Sequence, residues 1–294
     1  MLDFKKITLE DKEIIDDFLK NDNELSCENT FVNLLVWQNV YNYRYAIEDN
    51  LLFLVSSENG NEIYRLPSGE DICHGIELIE KHSTKPPVFW SPDGESFRKL
   101  PDSFKEKYDI HEERDAFDYL YLQSDLAELK GKKYHSKRNH ISQFSKQFDW
   151  EYQTVTKENV SEILNCARQW YDESQEKIDK YALAEKSGIS LMLENFETLG
   201  LKGGAIFVDG KAVAFTLGSP SNSYVFNIYV EKALPEFAGA YTVINKEFAA
   251  RELCDYEYIN REDDMGLEGL RKAKLSYKPI AMVKKFLFTP KEKI

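Results

Sequence analysis

A dense run of charged side chains near residue 260 is the part of the sequence best suited to acid–base chemistry. A strand-like segment ends at Asn260, and it is followed directly by Arg261, Glu262, Asp263 and Asp264. Polar residues at the carboxyl end of a strand in an α/β sheet often contact the ligand. We predict that these carboxylates deprotonate an amine or hydroxyl acceptor, and that Arg261 and Arg271 hold a carboxylate or phosphate. An acid-rich helix cap with surface charges is the alternative.

A glycine turn and the strand before it form a second candidate site. Gly239 lies between a predicted strand and a predicted helix, where it lets backbone N–H groups face an anion at the positive end of the helix. On that strand, Asn227 and Tyr229 share one face by strict alternation. We predict that Asn227 and Gly239 contact a donor and that Tyr229 contributes to catalysis. A structural turn beside an exposed strand face is the alternative.

Basic, aromatic and histidine side chains are interleaved between residues 132 and 140. This mixture suits stacking and phosphate contact. The residues predicted to bind the phosphates of a donor are Lys132, Lys133, His135, Lys137, Arg138 and Asn139. His135 or His140 could carry a proton, although an exposed histidine on a helix is usually only solvated. The solvated face of a helix is the alternative for the whole run.

Charge is distributed unevenly along the 294 residues. The chain holds 38 basic and 51 acidic residues and has a net charge of −13. Residues 130–148 and residues 271–285, however, each contain six basic residues and no acidic one. An acidic protein repels polyanions, which argues against generic coating of DNA or RNA. The two basic islands can still dock one phosphate-bearing ligand.

Composition predicts a folded protein outside the membrane. With 42% hydrophobic and 13% aromatic residues the chain can build real cores, and its length suits two domains. Its apolar runs are too short to cross a bilayer, and the first residues do not resemble a signal peptide. The four scattered cysteines lack the spacing of metal ligands. We therefore expect a cytoplasmic protein without a resident metal.

Two segments that lie 148 residues apart share a pattern typical of the start of a helix. The aligned residues are Ile7, Thr8, Glu10 and Ile15 with Val155, Thr156, Glu158 and Ile163. This offset is half the chain length and indicates two copies of one fold. Each copy reads as a mixed α/β layer structure. We predict domains at residues 1–128 and 150–294, joined by a basic helix at residues 129–149.

The second half gives the clearest predictions of individual elements. Asp209-Gly210 predicts a tight hairpin. The periodicity predicts helices from about residue 160 and at 240–253 and 267–275, and strands at 205–208, 212–215, 224–230, 256–260, 280–283 and 286–288.

Two motifs resemble signatures of one bacterial family. They are Gly-Lys-Lys-Tyr-His-Ser-Lys-Arg-Asn-His at residues 131–140, and residues 258–277, which begin Tyr-Ile-Asn-Arg-Glu-Asp-Asp. Both resemble proteins allied to the C-terminal domain of phosphatidylglycerol lysyltransferase. The resemblance implies a tandem pair of acyl-CoA N-acyltransferase (GNAT-like) folds. It also implies transfer of an aminoacyl group from a charged transfer RNA to a lipid or a peptidoglycan peptide.

The glycine turn departs from the pattern of the acetyl-CoA-using members of the wider superfamily. Those members carry Arg/Gln-x-x-Gly-x-Gly/Ala, whereas the aligned residues here are Glu236, Gly239 and Tyr241. A carboxylate that faces a pyrophosphate is unfavourable, which argues against ordinary acetyl-CoA use. The chain also shows no counterpart of the membrane-embedded region of lipid-modifying lysyltransferases.

These observations favour a transferase that moves an acyl or aminoacyl group to an amine or hydroxyl acceptor. The donor would be an aminoacyl-tRNA or an acyl-CoA. A non-catalytic module of the same fold, which binds a phosphate-bearing ligand or a protein, is one alternative. An acetyl-CoA-dependent N-acetyltransferase is the other.

Overall fold

The chain divides into two compact units. The structure, a computed structural model, describes residues 1–21, 24–58, 60–173 and 179–291. The first unit comprises Met1–Asp118, Asp263–Leu267 and Met282–Ile294, and the second unit comprises Tyr119–Glu262 and Glu268–Ala281. Each unit contains one mixed sheet flanked by helices, which confirms the predicted α/β class.

The strands are β1 (Lys5–Lys6), β2 (Arg44–Glu48), β3 (Leu51–Glu58), β4 (Asn61–Arg65), β5 (Val88–Pro92), β6 (Tyr108–Glu112), β7 (Asp118–Leu122), β8 (Trp150–Thr154), β9 (Lys202–Val208), β10 (Lys211–Pro220), β11 (Val225–Ala233), β12 (Tyr258–Asn260), β13 (Ala281–Val283) and β14 (Lys285–Pro290). The helices are α1 (Lys12–Asn21), α2 (Phe31–Tyr41), α3 (Ile72–His82), α4 (Glu95–Arg98), α5 (Asp102–Lys105), α6 (Gln123–Glu128), α7 (His135–Gln147), α8 (Val160–Glu173), α9 (Lys180–Glu194), α10 (Ala240–Glu252) and α11 (Glu268–Leu275).

The two sheets share one strand order. The first reads β1-β2-β3-β4-β5-β14-β6 and the second reads β8-β9-β10-β11-β12-β7-β13. In both sheets the fourth and fifth strands are parallel to each other. These strands are β4 and β5 in the first sheet and β11 and β12 in the second. Because a parallel pair at the same position would not arise by chance from two unrelated layouts, the sheets are two copies of one fold, as the sequence repeat predicts.

The sixth strand of each sheet comes from the other half of the sequence. β14, near the end of the chain, pairs with β5 and β6 in the first sheet. β7, which lies in the first half, pairs with β12 in the second sheet. The compact units therefore differ from the sequence-based division at residues 1–128 and 150–294. An apolar alternation predicts that a segment is a strand, but it does not say which sheet the strand joins.

Most elements expected in the second half are present. The hairpin at Asp209-Gly210 connects β9 and β10, and both turn residues have the positive φ angles that this turn needs. The basic segment forms a short 3₁₀ turn (Lys132–Tyr134) and α7, and Phe144 of α7 enters the core of the second unit. α9 was not expected, because Gly188 interrupts it and its apolar residues follow no clear stripe.

A lysine and two acids form a buried ionic cluster in the first unit. The Nζ of Lys285 lies 2.8 Å from Asp118 Oδ1 and 3.0 Å from Glu28 Oε1. Lys285 and Asp118 are completely buried. Asp118 also accepts the backbone N–H of Cys27 at 2.7 Å. Burial opposes the charge of Lys285, but Asp118, Cys27 and Glu28 outweigh it and raise the pKa of Lys285 well above its ordinary value.

We expect Lys285→Met to destabilise the protein by roughly 3–5 kcal/mol, because the substitution leaves Asp118 and Glu28 without their buried counterion. The raised pKa of Lys285 means that its ammonium stabilises the fold at every pH below the ordinary lysine pKa of about 10.4. This stabilisation is lost only as the pH rises through the folded-state value. Urea denaturation at pH 7 and pH 9 should therefore show the same loss of stability.

Lys284→Met is the matched control for this prediction. Lys284 is the neighbouring residue, but its side chain is half-exposed and contacts Glu112 at the surface. Its removal should cost less than about 1 kcal/mol. Equal losses from the two substitutions would contradict the structural role assigned to Lys285.

Candidate functional site

The candidate site of the second unit lies where β11 and β12 stop pairing. The two strands are hydrogen-bonded in parallel from Val225 and Tyr258 to Asn227 and Asn260. β12 ends there, while β11 continues to Ala233. Beyond this point β11 pairs, among the described strands, only with β10, and the residues that follow β12 can place their side chains where a ligand would bind.

A β-bulge changes the direction of β11 at Tyr229. Leu217 of β10 pairs with Val230 and Gly218 pairs with Ile228, so Tyr229 is the extra residue. The predicted alternation, which placed Asn227 and Tyr229 on one face, is interrupted there. The Tyr229 hydroxyl lies 2.6 Å from the hydroxyl of Ser219. Asn227 is completely buried.

A buried ion pair joins the two strands beyond the end of the ladder. Arg261 Nη2 lies 2.8 Å from Glu231 Oε1, and both side chains are about nine-tenths buried. The guanidinium also packs against the rings of Tyr277 and Tyr121, at 4.8 and 5.6 Å from the ring centres. Burial disfavours its charge, but the Glu231 carboxylate raises the pKa of Arg261. Arg261 is therefore cationic at any physiological pH.

The Glu231 carboxylate also binds the amide of Asn245 on α10. Asn245 Nδ2 donates to Glu231 Oε2 at 3.0 Å. Two buried polar atoms beside this carboxylate, Arg261 Nη1 and Asn245 Oδ1, have no hydrogen-bond partner among the described residues. One is a donor and the other is an acceptor. Because an unsatisfied buried polar atom costs about 1–3 kcal/mol, the guanidinium is suited to an acceptor group of a ligand and the amide to a donor group.

Lys137 reaches the same group of side chains from the first turn of α7. Its Nζ lies 3.6 Å from the centre of the Tyr277 ring. Burial and the nearby charge of Arg261 lower the pKa of Lys137 to about 8, although Glu231 opposes the shift. The sequence predicts Lys137 as a solvated phosphate ligand, whereas the structure places it partly inside the unit.

The two basic islands meet at Tyr277. The Tyr134 hydroxyl, just before α7, donates to the Tyr277 carbonyl at 2.9 Å. The Tyr121 hydroxyl donates to the carbonyl of Lys274 on α11 at 2.8 Å. These contacts bring the start of α7 and the end of α11 together within the second unit. Residues 130–138 and 271–278 thus contribute to one basic surface, which we call the α7–α11 surface.

The residues of the α7–α11 surface differ in how free they are to bind. Lys132 is exposed, as are Lys272 and Lys278. Arg138 instead donates from Nη1 to the carbonyls of Leu129 and Gly131, which closes the loop before α7.

Four other residues predicted to bind the donor lie on this surface or next to it. Lys133 lies 2.8 Å from Asp125. The amide of Asn139 lies 3.2 Å from His135 Nε2. Arg271 lies on α11, partly buried. The donor-binding role of the whole set stays a prediction.

The start of α10 is covered by α7. Gly239 caps α10 with a φ of 100°. A Cβ added to Gly239 would lie 2.9 Å from the carbonyl oxygen of His140 and 3.2 Å from Cβ of Phe144. A carbonyl oxygen of α7 therefore lies against Gly239, and the anion contact of the glycine turn stays a prediction. The nearby Glu236 carboxylate accepts from Gln169 at 3.2 Å.

The predicted run of three acids is divided between the units. Glu262 belongs to the second unit, has a φ of 57°, and has its backbone N–H held by the side chain of Asn260 at 2.7 Å. Asp263 and Asp264 belong to the first unit. Asp264 is completely buried, accepts a backbone N–H two residues later, and lies 3.3 Å from Arg114 Nη1. The catalytic role of these three acids stays a prediction.

Sequence reasoning missed three residues of this site, namely Glu231, Asn245 and Tyr277. Glu231 is an acid within a mostly apolar strand, and such a charge is almost never buried unless it is paired. That signal was available in the sequence. Asn245 and Tyr277 give no comparable signal, because their importance comes only from what lies beside them.

Two classes of feature are absent from the described residues. No three His, Cys, Asp or Glu side chains among them are arranged to hold a metal ion. Within the same ranges, no helix combines the length and apolarity that a bilayer-spanning segment needs.

Sequence comparison identifies a family. The profile of the family described as "Phosphatidylglycerol lysyltransferase, C-terminal" matches residues 22–289. The uncharacterized protein MYCGA3080 of Mycoplasmoides gallisepticum is 26% identical over 191 residues, which is 62% of this chain and 59% of that protein. The matched segment therefore spans less than two thirds of that relative.

Solved structures agree with the family match. A conserved protein of unknown function from Bacteroides thetaiotaomicron is 38% identical, with a TM-score of 0.88 over 99% of this chain and all of that one. The C-terminal domain (DUF2156) of a protein named for lysylphosphatidylglycerol synthetase, from Agrobacterium fabrum, is 14% identical. Its TM-score is 0.65 over 95% of this chain and 91% of that one, which shows a common fold. The two mixed sheets with one strand order agree with the tandem arrangement that the resemblance implies.

We expect Gly239→Ala to destabilise the second unit through two effects. The positive φ costs an alanine about 1–2 kcal/mol. The added methyl group also pushes against α7, which costs a further 1–3 kcal/mol or so. Thermal denaturation measures the sum.

Gly131→Ala separates the two effects. Gly131 also has a positive φ, of 87°, but an added Cβ would have no atom within 4 Å. We therefore expect Gly131→Ala to cost only the backbone penalty. If both substitutions lower stability equally, the loss at Gly239 comes from its backbone conformation alone, and the close contact between α7 and α10 contributes nothing to it.

Proposed function

The chain belongs to the phosphatidylglycerol lysyltransferase C-terminal family, and on that premise we propose that it transfers an aminoacyl group from a charged transfer RNA to an amine or hydroxyl acceptor. The family and the GNAT-like fold are those of acyl- or aminoacyl-transferases. The donor and the type of acceptor are the parts that we propose.

The group around Glu231 is the observation that carries this proposal. Its carboxylate binds Arg261 and Asn245 and leaves one buried donor, Arg261 Nη1, and one buried acceptor, Asn245 Oδ1. An aminoacyl ester has a carbonyl oxygen that accepts and an α-ammonium that donates, on adjacent carbons. It would satisfy both atoms. A simple acyl group lacks the ammonium and would leave Asn245 Oδ1 unsatisfied, which costs binding energy.

The chemistry follows from this placement. The acceptor nitrogen or oxygen attacks the ester carbonyl carbon, the bond from that carbon to the ribose oxygen breaks, and the ribose hydroxyl leaves with a proton. Negative charge develops on the carbonyl oxygen during the attack, and the guanidinium of Arg261 stabilises it in a site with little water. Holding the ester and the nucleophile together supplies the rest of the acceleration.

The α7–α11 surface supports a nucleic acid as the carrier of the ester. It gathers exposed lysines beside the Arg261 group, on a chain whose total charge is −13. Long-range repulsion from the rest of the protein disfavours general RNA binding. A confined basic surface is suited to a few phosphates at the end of one RNA stem, where the aminoacyl group is attached.

The start of α10 argues against acyl-CoA as the donor. A pyrophosphate at a helix start needs open backbone N–H groups. Here the His140 carbonyl lies against Gly239, and Glu236 adds a negative charge next to the turn. Both features oppose an anion at this position.

Transfer assays with three donors test the proposal. Purified protein is incubated with aminoacyl-tRNA, uncharged tRNA or acetyl-CoA and with a panel of amine and hydroxyl acceptors, and products are identified by mass spectrometry. We expect amino-acid transfer from charged tRNA only. Arg261→Lys should lower kcat/KM by about 10²–10³-fold, because a lysine cannot bind Glu231 and the ester together.

Arg251→Lys is the control, since Arg251 is an exposed residue of α10 that contacts Glu247 at the surface. It should leave the rate unchanged. Transfer from acetyl-CoA would contradict the proposed donor. Binding of charged tRNA without transfer to any acceptor would favour the non-catalytic module.

A double substitution, Lys132→Glu with Lys272→Glu, tests the basic surface separately. We expect weaker binding of tRNA, and a plot of log affinity against log salt whose slope is shallower by roughly two. Fluorescence anisotropy across a salt series measures both. Lys157→Glu with Lys211→Glu is the charge-matched control, because both residues are exposed and lie outside the α7–α11 surface. If both double substitutions weaken tRNA binding equally, the overall charge of the protein explains the effect and the α7–α11 surface has no specific role.

A further inference from the structure

Lys137 is placed unlike the other basic residues at the start of α7. Its side chain is partly buried, and its Nζ contacts the face of the Tyr277 ring at 3.6 Å. A surface lysine normally extends its ammonium into water. Here the ammonium lies over the Tyr277 ring, which the buried guanidinium of Arg261 also contacts, at 4.8 Å from the ring centre.

Three influences disfavour a positive charge at this position. Burial removes water from the ammonium, and Arg261 places a second cation nearby. Lys137 also lies in the first turn of α7, at the positive end of the helix dipole. The face of the Tyr277 ring and the Glu231 carboxylate oppose these influences, but Glu231 is already bound to Arg261 and Asn245. The net result is a pKa of about 8 for Lys137.

Such a position adds little to stability, because a cation is held beside another cation. A desolvated lysine next to a second cationic group is instead the arrangement that supplies a neutral amine near physiological pH. The geometry also gives this amine a place to act, since Arg261, the group that would hold the reacting ester, is its neighbour.

We infer that Lys137 accepts the proton of the acceptor nucleophile in the transfer reaction. This inference rests on the proposed function. The lone pair of Nζ takes the proton from the acceptor nitrogen or oxygen as that atom bonds to the ester carbonyl carbon. When the bond from carbon to the ribose oxygen breaks, the Lys137 ammonium returns a proton to the leaving oxygen. The amine is neutral again at the end of the cycle, so no other reactant is needed.

The pH dependence follows from the groups that face Lys137. They are Glu231 from β11, Arg261 after β12 and Tyr277 after α11. Arg261 stays charged, and burial raises the pKa of Tyr277 to about 12, so neither changes its charge below pH 10. Two titratable residues lie near Lys137 in sequence. His135, on the same helix, contacts Asn139, and Lys133, in the turn before the helix, forms an ion pair with Asp125. We therefore expect kcat/KM to rise with pH and level off above pH 8, as Lys137 loses its proton.

A labelling experiment tests the reactivity of Lys137 without any substrate. The folded protein is treated briefly with acetic anhydride at pH 6–10, and the acetylation of each lysine is measured by peptide mass spectrometry. The reaction of Lys137 should reach half of its maximum near pH 8. Lys146, exposed on the same helix, is the internal control. A pH curve for Lys137 that matches that of Lys146 would overturn the inference.

Substitution and chemical rescue test its role in transfer. Lys137→Met should lower kcat/KM by about 10²–10⁴-fold and remove the rise with pH. Lys137→Cys treated with bromoethylamine regains an amine of similar length and should regain activity. Its pH curve should shift downward, because the thioether lowers the basicity of the amine. Wild-type protein receives the same treatment, since Cys73 and Cys254 are exposed and react in every sample. Lys146→Met is the activity control.

The outcomes separate this inference from the proposed function. If wild-type protein transfers the amino acid and Lys137→Met does so equally well with an unchanged pH curve, the role of Lys137 is overturned and the transferase stands. If wild-type protein transfers nothing from charged tRNA, both are overturned, whatever the labelling shows. If rescue restores the rate together with a shifted pH curve, a merely structural role for Lys137 is excluded.

Discussion

The buried ion pair between Lys285 and Asp118 connects β14 with β7, the two strands that each sheet takes from the other half of the sequence. Asp118 is the first residue of β7 and the last residue before the chain passes into the second unit, and Lys285 is the first residue of β14, within the segment of the first unit that begins at Met282. Their charged atoms are 2.8 Å apart in a site without solvent. Little dielectric screening reaches such a pair, and separating it would leave two buried charges. The pair thus joins the start of β7 to the start of β14 inside the first unit.

The exchanged strand β7 also determines where Arg261 lies in the second unit. β7 pairs with β12, and the carbonyl of Tyr119 accepts the backbone N–H of Arg261 at 3.0 Å. Tyr121 of the same strand packs against the guanidinium. Glu231 then completes the position from β11. The candidate site is therefore assembled from segments that are more than 100 residues apart in sequence, and its geometry depends on the exchange.

Local features of the fold could be predicted from sequence, and features that depend on long-range pairing could not. The cap pattern at Thr8 and Thr156 indicated the repeat, because helix starts have short sequence signals. The sheet to which β14 belongs has no local signal, so the predicted boundary differs from the observed unit. Lys137 and Arg138 are adjacent and chemically alike, yet one turns inward beside Arg261 and the other closes a loop. Charge patterning cannot distinguish such neighbours, since the difference lies in what other elements place beside them.

The late position of β14 has a consequence for synthesis on the ribosome. The first sheet lacks its sixth strand until residues 285–290 have been translated, although its other strands end at residue 112. During this interval β5 has one unpaired edge and β6 has no partner strand, and unpaired edges favour aggregation. Closing this sheet joins residues that are between 174 (Glu112 and Phe286) and 199 (Phe89 and Phe288) positions apart, which slows folding. The first unit, although made first, can be completed only after nearly all of the second has emerged, so the nascent chain would be a natural client for chaperones.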